Sequence, residues 1–244
     1  MLSSLFSTPS SAAERYVRCY VQREGHLGAA TFTHPLQPRS AHVLDFEFGD
    51  AVEICTSGTD ATRMAEPAAL VGSLTCPRGQ LLIRGNVDTF VIVLKPAALH
   101  KLLGLPALDF TNRDHAAHAA LGAAASELQQ RLGNALSFQE RVQIAEQFIL
   151  SWSLRAPSVD SIEVAANEII RSHGGCRIDS LVHHTGLSVR TFQRRFHERI
   201  GVSAKLYSRI VRFESALKTK AALPHMSCGD CIRVRLSRSD AHDP

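Results

Sequence analysis

No apolar run in the 244-residue sequence approaches the roughly 18 residues that a membrane-spanning helix needs. The longest candidate strand, Phe90–Leu94, is far shorter. The opening stretch MLSSLFSTPSSAAER has neither a basic start nor an apolar segment, which argues against a secretory signal. Six cysteines are scattered, mostly singly, and form no disulfide framework, which points to a reducing cytoplasm. A nucleophile elbow, a phosphate-binding loop and paired catalytic carboxylates are also missing, so turnover is not expected. What remains is 45% hydrophobic and 20% charged. That is too apolar, and of too mixed a charge, for a disordered chain. The length suits one large domain or two smaller ones.

The net charge of +4 gains meaning when it is divided. Residues 1–159 carry 13 basic and 14 acidic side chains, whereas residues 160–244 carry 14 and 9. The positive excess belongs to the last third, which favours a polyanionic partner there.

From about Tyr16 to Leu94 the pattern is strand-like. Leu44, Phe46 and Phe48 alternate with Asp45 and Glu47, which places three apolar side chains on one face of a strand. Gly49-Asp50 reads as a hairpin turn before Val52 and Ile54. Phe90–Leu94 is apolar on both faces, as a central covered strand would be. A small sheet or barrel is expected. After Pro96 the period becomes helical. An Ala-rich helix is expected from about Arg113 to Leu132, stopped by Gly133. Ser137 and Glu140 are spaced as a capping box for the next helix. Arg155-Ala156-Pro157-Ser158 breaks the periodicity where the charge balance shifts, and marks a domain boundary. Beyond it every segment reads as helix: one capped by Ser161 and running through Ser172, then Ile178 to His184, Val189 to Ile200, and a long one capped by Ser203.

The informative stretch is residues 178–213. Gly186 supplies the positive φ of a tight interhelical turn, and Leu187 fills the angle between the two helices. Ser188 caps the second helix, whose Phe192 and Phe196 face inward with Leu181. Arg190, Thr191, Gln193, Arg194 and His197 are left on the outer side. Arginine can hold guanine O6 and N7, glutamine can hold adenine N6 and N7, and hydroxyls near a helix start can bind phosphate. A short helix, a glycine turn and a basic helix of this size fit the major groove. The bland alternative is a solvated helical hairpin.

The run Gly186-Leu187-Ser188-Val189-Arg190-Thr191-Phe192-Gln193-Arg194-Arg195-Phe196, followed by Gly201-Val202-Ser203-Ala204-Lys205, closely resembles the DNA-binding region of AraC-type transcription factors. Ala204 stands where that family usually has Pro, and Arg177 stands where Ser or Thr would cap the first helix. The resemblance implies Arg190, Gln193 and Arg194 as base-reading positions. It implies Ser188, Thr191, Ser203 and Lys205 as phosphate contacts, with Gly186, Leu187, Phe192, Phe196 and Gly201 as turn and core. Upstream, VDTFVIVLKPAALHKLLGLPALDFTNR looks like the end of the cupin-like N-terminal domain of one AraC-type subgroup. The implied fold is α+β: a β-rich sensing or dimerisation domain with C-terminal helices over 1–154, a linker over 155–160, and an all-α helix-turn-helix domain over 161–225. The implied protein is a bacterial, cytoplasmic regulator without a cofactor. Double-stranded DNA is its partner, with room for a small-molecule effector and a homodimer.

AraC-type regions hold two helix-turn-helix units. Here residues 226–244 have neither helical nor strand periodicity. Codons can be chosen for Asp230–Pro244 that, read one base later, give a pattern Gly-Tyr-x-Asp-Gln-x-His resembling the second unit. A frameshift near Ser227–Asp230 is therefore expected. It would leave Leu206, Ile210 and Leu217 exposed on the long helix, and would make DNA binding weak or dimer-dependent.

Other readings compete. His225, Cys228, Cys231 and His242 could supply zinc ligands, but one Cys-x-x-Cys pair is weaker than paired knuckles. A cupin-type metalloenzyme would need more than His26, His34 and His42, since no His-x-His followed by Glu is present. His115 and His118, and the adjacent His183 and His184, carry no specific signal. An interaction protein that senses a ligand or dimerises without binding DNA is the third reading.

Overall fold

The strand-like first hundred residues divide between two antiparallel sheets in the computed structural model, which describes residues 2–59, 61–154 and 160–222. The larger sheet has the order β1-β2-β9-β4-β7-β10. Its strands are β1 (Ser3–Ser7), β2 (Val17–His26), β4 (Val43–Glu47), β7 (Ala68–Val71), β9 (Asn86–Leu94) and β10 (Asp114–Ala116). The smaller has the order β3-β8-β5-β6. It is built from β3 (Phe32–Pro35), β5 (Glu53–Thr56), β6 (Thr62–Met64) and β8 (Gly79–Ile83). β9 lies between β2 and β4, and its doubly apolar run follows from cover on both sides. Gly49-Asp50 does not close a hairpin. β4 pairs with β7 and β9, whereas β5 crosses into the other sheet to pair with β6 and β8. An alternating pattern on each side of a turn fixes the faces of two strands but not their partners.

One face of the large sheet carries Tyr20, Leu44, Phe46, Leu70, Phe90 and Ile92, all buried. Helices α1 (Ala98–Leu103), α3 (Ala123–Gly133) and α4 (Phe138–Ser153) cover it with Leu99, Leu128, Leu132 and Ile149. Each such side chain contributes roughly 1.5–3 kcal/mol by leaving water. Ser137 caps α4 by accepting from the Glu140 N–H, and the Glu140 carboxylate accepts from the Leu136 N–H at 2.8 Å. Arg141 is buried against this sheet. It grips Asp88 with two bonds of 2.5 and 2.8 Å and lies 4.6 Å over the Phe48 ring.

The Ala-rich helix expected from Arg113 to Leu132 is instead three elements. Asp114–Ala116 pairs with β7 as a sheet edge, α2 spans Ala117–Leu121, and α3 starts after Gly122. Gly122 has φ 61° and ψ −147°, a conformation open essentially to glycine, and it ends α2.

The helical remainder consists of α5 (Ser161–Arg171), α6 (Ile178–Thr185), α7 (Val189–Ile200) and α8 (Ala204–Ala222). Asp160 rather than Ser161 caps α5, accepting from the Ile162 and Glu163 N–H groups. Ile162, Ala166, Ile169, Leu181, Phe192, Phe196, Ile200, Tyr207 and Val211 form a second core, which Ala97 joins from the N-terminal half. Ile210 is 3% exposed, and Leu206 and Leu217 are half-buried, so the long helix does not present them to water as expected. The boundary at 155–158 and the tail 226–244, with its cysteines and histidines, lie outside the described residues. No helix among the described residues is long and apolar enough to cross a membrane.

Candidate nucleic-acid interface and inter-sheet cavity

α6 begins at Ile178 without a side-chain cap on Arg177, and ends where Gly186 turns at φ 66°. Ser188 is extended and caps α7: its Oγ accepts the Thr191 N–H at 3.3 Å and donates to Thr191 Oγ1 at 2.9 Å. Phe192 and Phe196, both at 0% exposure, stand 5.5 Å apart, and Phe196 meets the Tyr207 ring at 5.8 Å. These anchors fix the rotation of α7 about its axis. Arg190, Gln193, Arg194 and His197 then share one exposed stripe at i, i+3, i+4 and i+7. Arg194 lies 3.7 Å from Glu198, a solvated pair that does little to restrain it. A twelve-residue helix is about 18 Å long, and with side chains its diameter is near that of the ~12 Å major groove.

The structure thus brings Arg190, Gln193 and Arg194 onto one face. Ser188 is exposed at the N-terminus of α7, and Thr191 is half-buried beside it. Ser203 is exposed and caps α8 by accepting the Leu206 N–H at 3.3 Å, with Lys205 exposed in the same turn. Leu187 is half-buried against the second core. Gly201 closes α7 at φ 94°.

Sequence reasoning did not find the second feature, a cavity of about 370 Å³ between the two sheets. The large sheet lines it with the face turned away from the helices. Val21, Val91 and Asp45 form one row across β2, β9 and β4, and Arg23, Thr89 and Glu47 form the next row on that face. Ile54 and Leu81 close it from the small sheet. Asp45 is half-buried, with a buried Oδ1 that accepts no hydrogen bond, and desolvation raises its pKa. Glu47 is pushed up to about 8 by burial first and then by Asp45. His34, on the cavity wall, has its pKa lowered by burial and by Arg23 and Arg39. The three histidines of the metalloenzyme reading stand apart: His26 pairs with Asn86 at 2.8 Å, while His42 is buried and pulled down to about 4. Among the described residues no three His, Cys, Asp or Glu side chains are placed to hold a metal ion.

Two contacts run from the cavity wall to the helical half. Arg39 lines the cavity, and the next residue, Ser40, donates from N and Oγ to Glu214 of α8 at 3.1 and 2.6 Å. Asn112 also lines it, held by Thr75. Its neighbour Thr111 donates from Oγ1 to the Gly201 carbonyl at the end of α7, at 2.9 Å. A buried ion pair between Lys101 of α1 and Glu163 of α5 adds a third join, with Arg15 3.7 Å from the same carboxylate.

Residues 6–116 match the model of a family described as a domain of unknown function (DUF6597). No curated protein matches the sequence. Among solved structures, the chain is similar to ToxT from Vibrio cholerae, at 8% identity and a TM-score of 0.47, over 97% of this chain and 88% of that one. It is also similar to the AraC-like transcriptional activator CuxR, at 13% identity and a TM-score of 0.29, over 89% and 87% of the two chains.

Proposed function

We propose that this chain is a sequence-specific DNA-binding transcriptional regulator in which α7 reads the major groove and the β-rich half senses a small molecule. The carrying observation is the exposed stripe of Arg190, Gln193 and Arg194 on a helix whose rotation is locked from below by Phe192 and Phe196. The AraC-type motif over Gly186–Lys205 supports the same residues. Arg190, Gln193 and Arg194 contact base edges, and Ser188, Thr191, Ser203 and Lys205 contact phosphates that set the register. These few phosphate contacts give weak binding by themselves, and a second copy of the chain, by adding contacts, strengthens it and steepens its salt dependence.

The test is selection from a random duplex library at two salt concentrations, with Arg190→Ala and Arg194→Ala alongside. A short enriched motif is expected, and each substitution should relax it at one or two positions, at a cost of about 1–3 kcal/mol per lost bidentate contact. Salt-sensitive binding without any motif would reduce α7 to a basic surface. No binding at all would favour a sensing or dimerising interaction protein.

A further inference from the structure

The twelve residues of α7 include four apolar side chains, and packing accounts for three of them. Phe192, Phe196 and Ile200 are 0, 0 and 1% exposed, whereas Val189 is 59% exposed and lies outside the second core. Starting the helix does not call for a valine either. Ser188 supplies the cap by accepting the Thr191 N–H. Leu187, just before the cap, and Phe192, at the fourth helical position, stand where a hydrophobic staple fixes the entry of the chain, and both pack in the second core. A β-branched residue is also a poorer helix former than the alanine or glutamate that an exposed first turn accepts.

The surroundings of Val189 give it a different partner. Arg190 follows it directly and Gln193 lies one turn on at i+4, both exposed. Positions i and i+4 are neighbours on a helix surface, with Cβ atoms about 5–6 Å apart. Helical side chains lean towards the N-terminus, so the valine covers the leading tip of α7, ahead of Gln193. When a helix lies in the major groove, its N-terminal residues are the ones that meet base edges. An isopropyl group there neither donates nor accepts a hydrogen bond. Of the four bases only thymine offers the major groove an apolar partner, its C5-methyl group.

We propose that Val189 is a specificity-determining residue, whose isopropyl group packs on the C5-methyl of a thymine close to the adenine that Gln193 holds. The proposal deepens the reading of α7 and rests on it. Two repeats set the spacing. Four helical residues advance about 6 Å, and successive bases of a strand are about 3.4 Å apart, so the thymine lies within about two base pairs of that adenine. Cytosine at the same place loses the methyl contact and sets its N4 donor beside an apolar side chain. Uracil loses the methyl alone.

The experiment uses the full chain and the motif returned by the duplex selection. Gln193→Ala first marks the adenine, as the position whose preference it relaxes. Each thymine within two base pairs of it is then replaced singly by deoxyuridine, and affinity is read by fluorescence anisotropy. At one of them the parent chain is expected to bind about fourfold more weakly, as for the loss of one buried methyl group. In Val189→Ser the two duplexes should bind alike, and Val189→Thr, which keeps one methyl, should retain part of the difference. The readout is the ratio of affinities for the two duplexes, which a general loss of stability or of phosphate contact leaves unchanged. A motif with no thymine in that interval overturns the proposal, as does a Gln193→Ala chain that relaxes no adenine. So does deoxyuridine that costs nothing at every thymine, or a cost that persists in Val189→Ser. In these cases a motif relaxed by Arg190→Ala and Arg194→Ala leaves the reading of α7 standing. Binding without a motif removes that reading and this proposal together.

Discussion

Glu47 illustrates what a single residue reveals and conceals. Its alternation with Phe46 and Phe48 gave the side of the strand it occupies, but alternation is the same whether the polar side meets water or a second sheet. The small sheet that covers Glu47 is formed by strands up to 36 residues away, and nothing local to β4 announces it. The cover has a measurable cost. The folded-state pKa of about 8 lies above the ordinary glutamate value, so the folded chain holds a proton that the unfolded chain has released. This contribution is fully present at low pH and is lost as pH rises from about 4.5 through 8. Glu47→Gln is expected to stabilise the empty protein by roughly 1–3 kcal/mol at pH 8.5 and to change little at pH 4.5. Urea denaturation at the two pH values measures it; equal effects at both would place Glu47 in solvent. His42 acts in the opposite direction: kept neutral by burial, it withdraws stability as pH falls from about 6.5 through 4.

At the scale of elements, α7 was fully legible because each of its signals is local. Ser188 caps it, Phe192 and Phe196 turn it, Gly201 ends it, and the observed bounds Val189–Ile200 agree with those read from the residues. The Ala-rich segment before it was not legible. Alanine favours helix wherever tertiary contacts permit, yet β7 recruits Asp114–Ala116 as a sheet edge and Gly122 breaks the remainder. Gly201 also does something that its sequence role as a terminator does not show. A Cβ there would lie 2.5 Å from Thr111 Oγ1 and 2.9 Å from the Ala107 carbonyl oxygen. Gly201→Ala is therefore expected to destabilise by about 2 kcal/mol or more, through strain at positive φ together with the lost Thr111 bond. Thr111→Val, which removes the bond alone, should cost about 1 kcal/mol. Chemical denaturation ranks the two, and equal costs would mean that the close approach is dispensable.

Across the whole molecule, the charge asymmetry marks the last third as basic but gives no sign that its helices dock on the loops and first helix of the N-terminal half. That docking rests on pairs separated by many residues: Ser40 with Glu214, Thr111 with Gly201, Lys101 with Glu163. The Lys101 and Glu163 side chains are only 1% and 6% exposed, so removing the carboxylate leaves the ammonium out of water without a partner. Glu163→Ala is expected to cost about 3–5 kcal/mol by stranding Lys101. The double change Lys101→Met with Glu163→Leu should recover most of that, since well-packed apolar side chains replace a buried pair at little cost. Equilibrium unfolding of the two variants beside the parent chain decides it; a double variant as unstable as the single one would assign the loss to packing.

The alternation along β4 has one more consequence. Leu44 and Phe46 belong to the core beneath the helices, while Val43, Asp45 and Glu47 belong to the cavity. A single strand thus keeps two sets of positions that answer to different demands and do not share neighbours. Mutations at the odd-numbered positions can reshape the chamber while the even-numbered ones go on holding the scaffold. On the sensing reading proposed above, recognition is thereby separable from folding along one strand, and a designer who wishes to retarget the chamber has a natural set of sites to randomise.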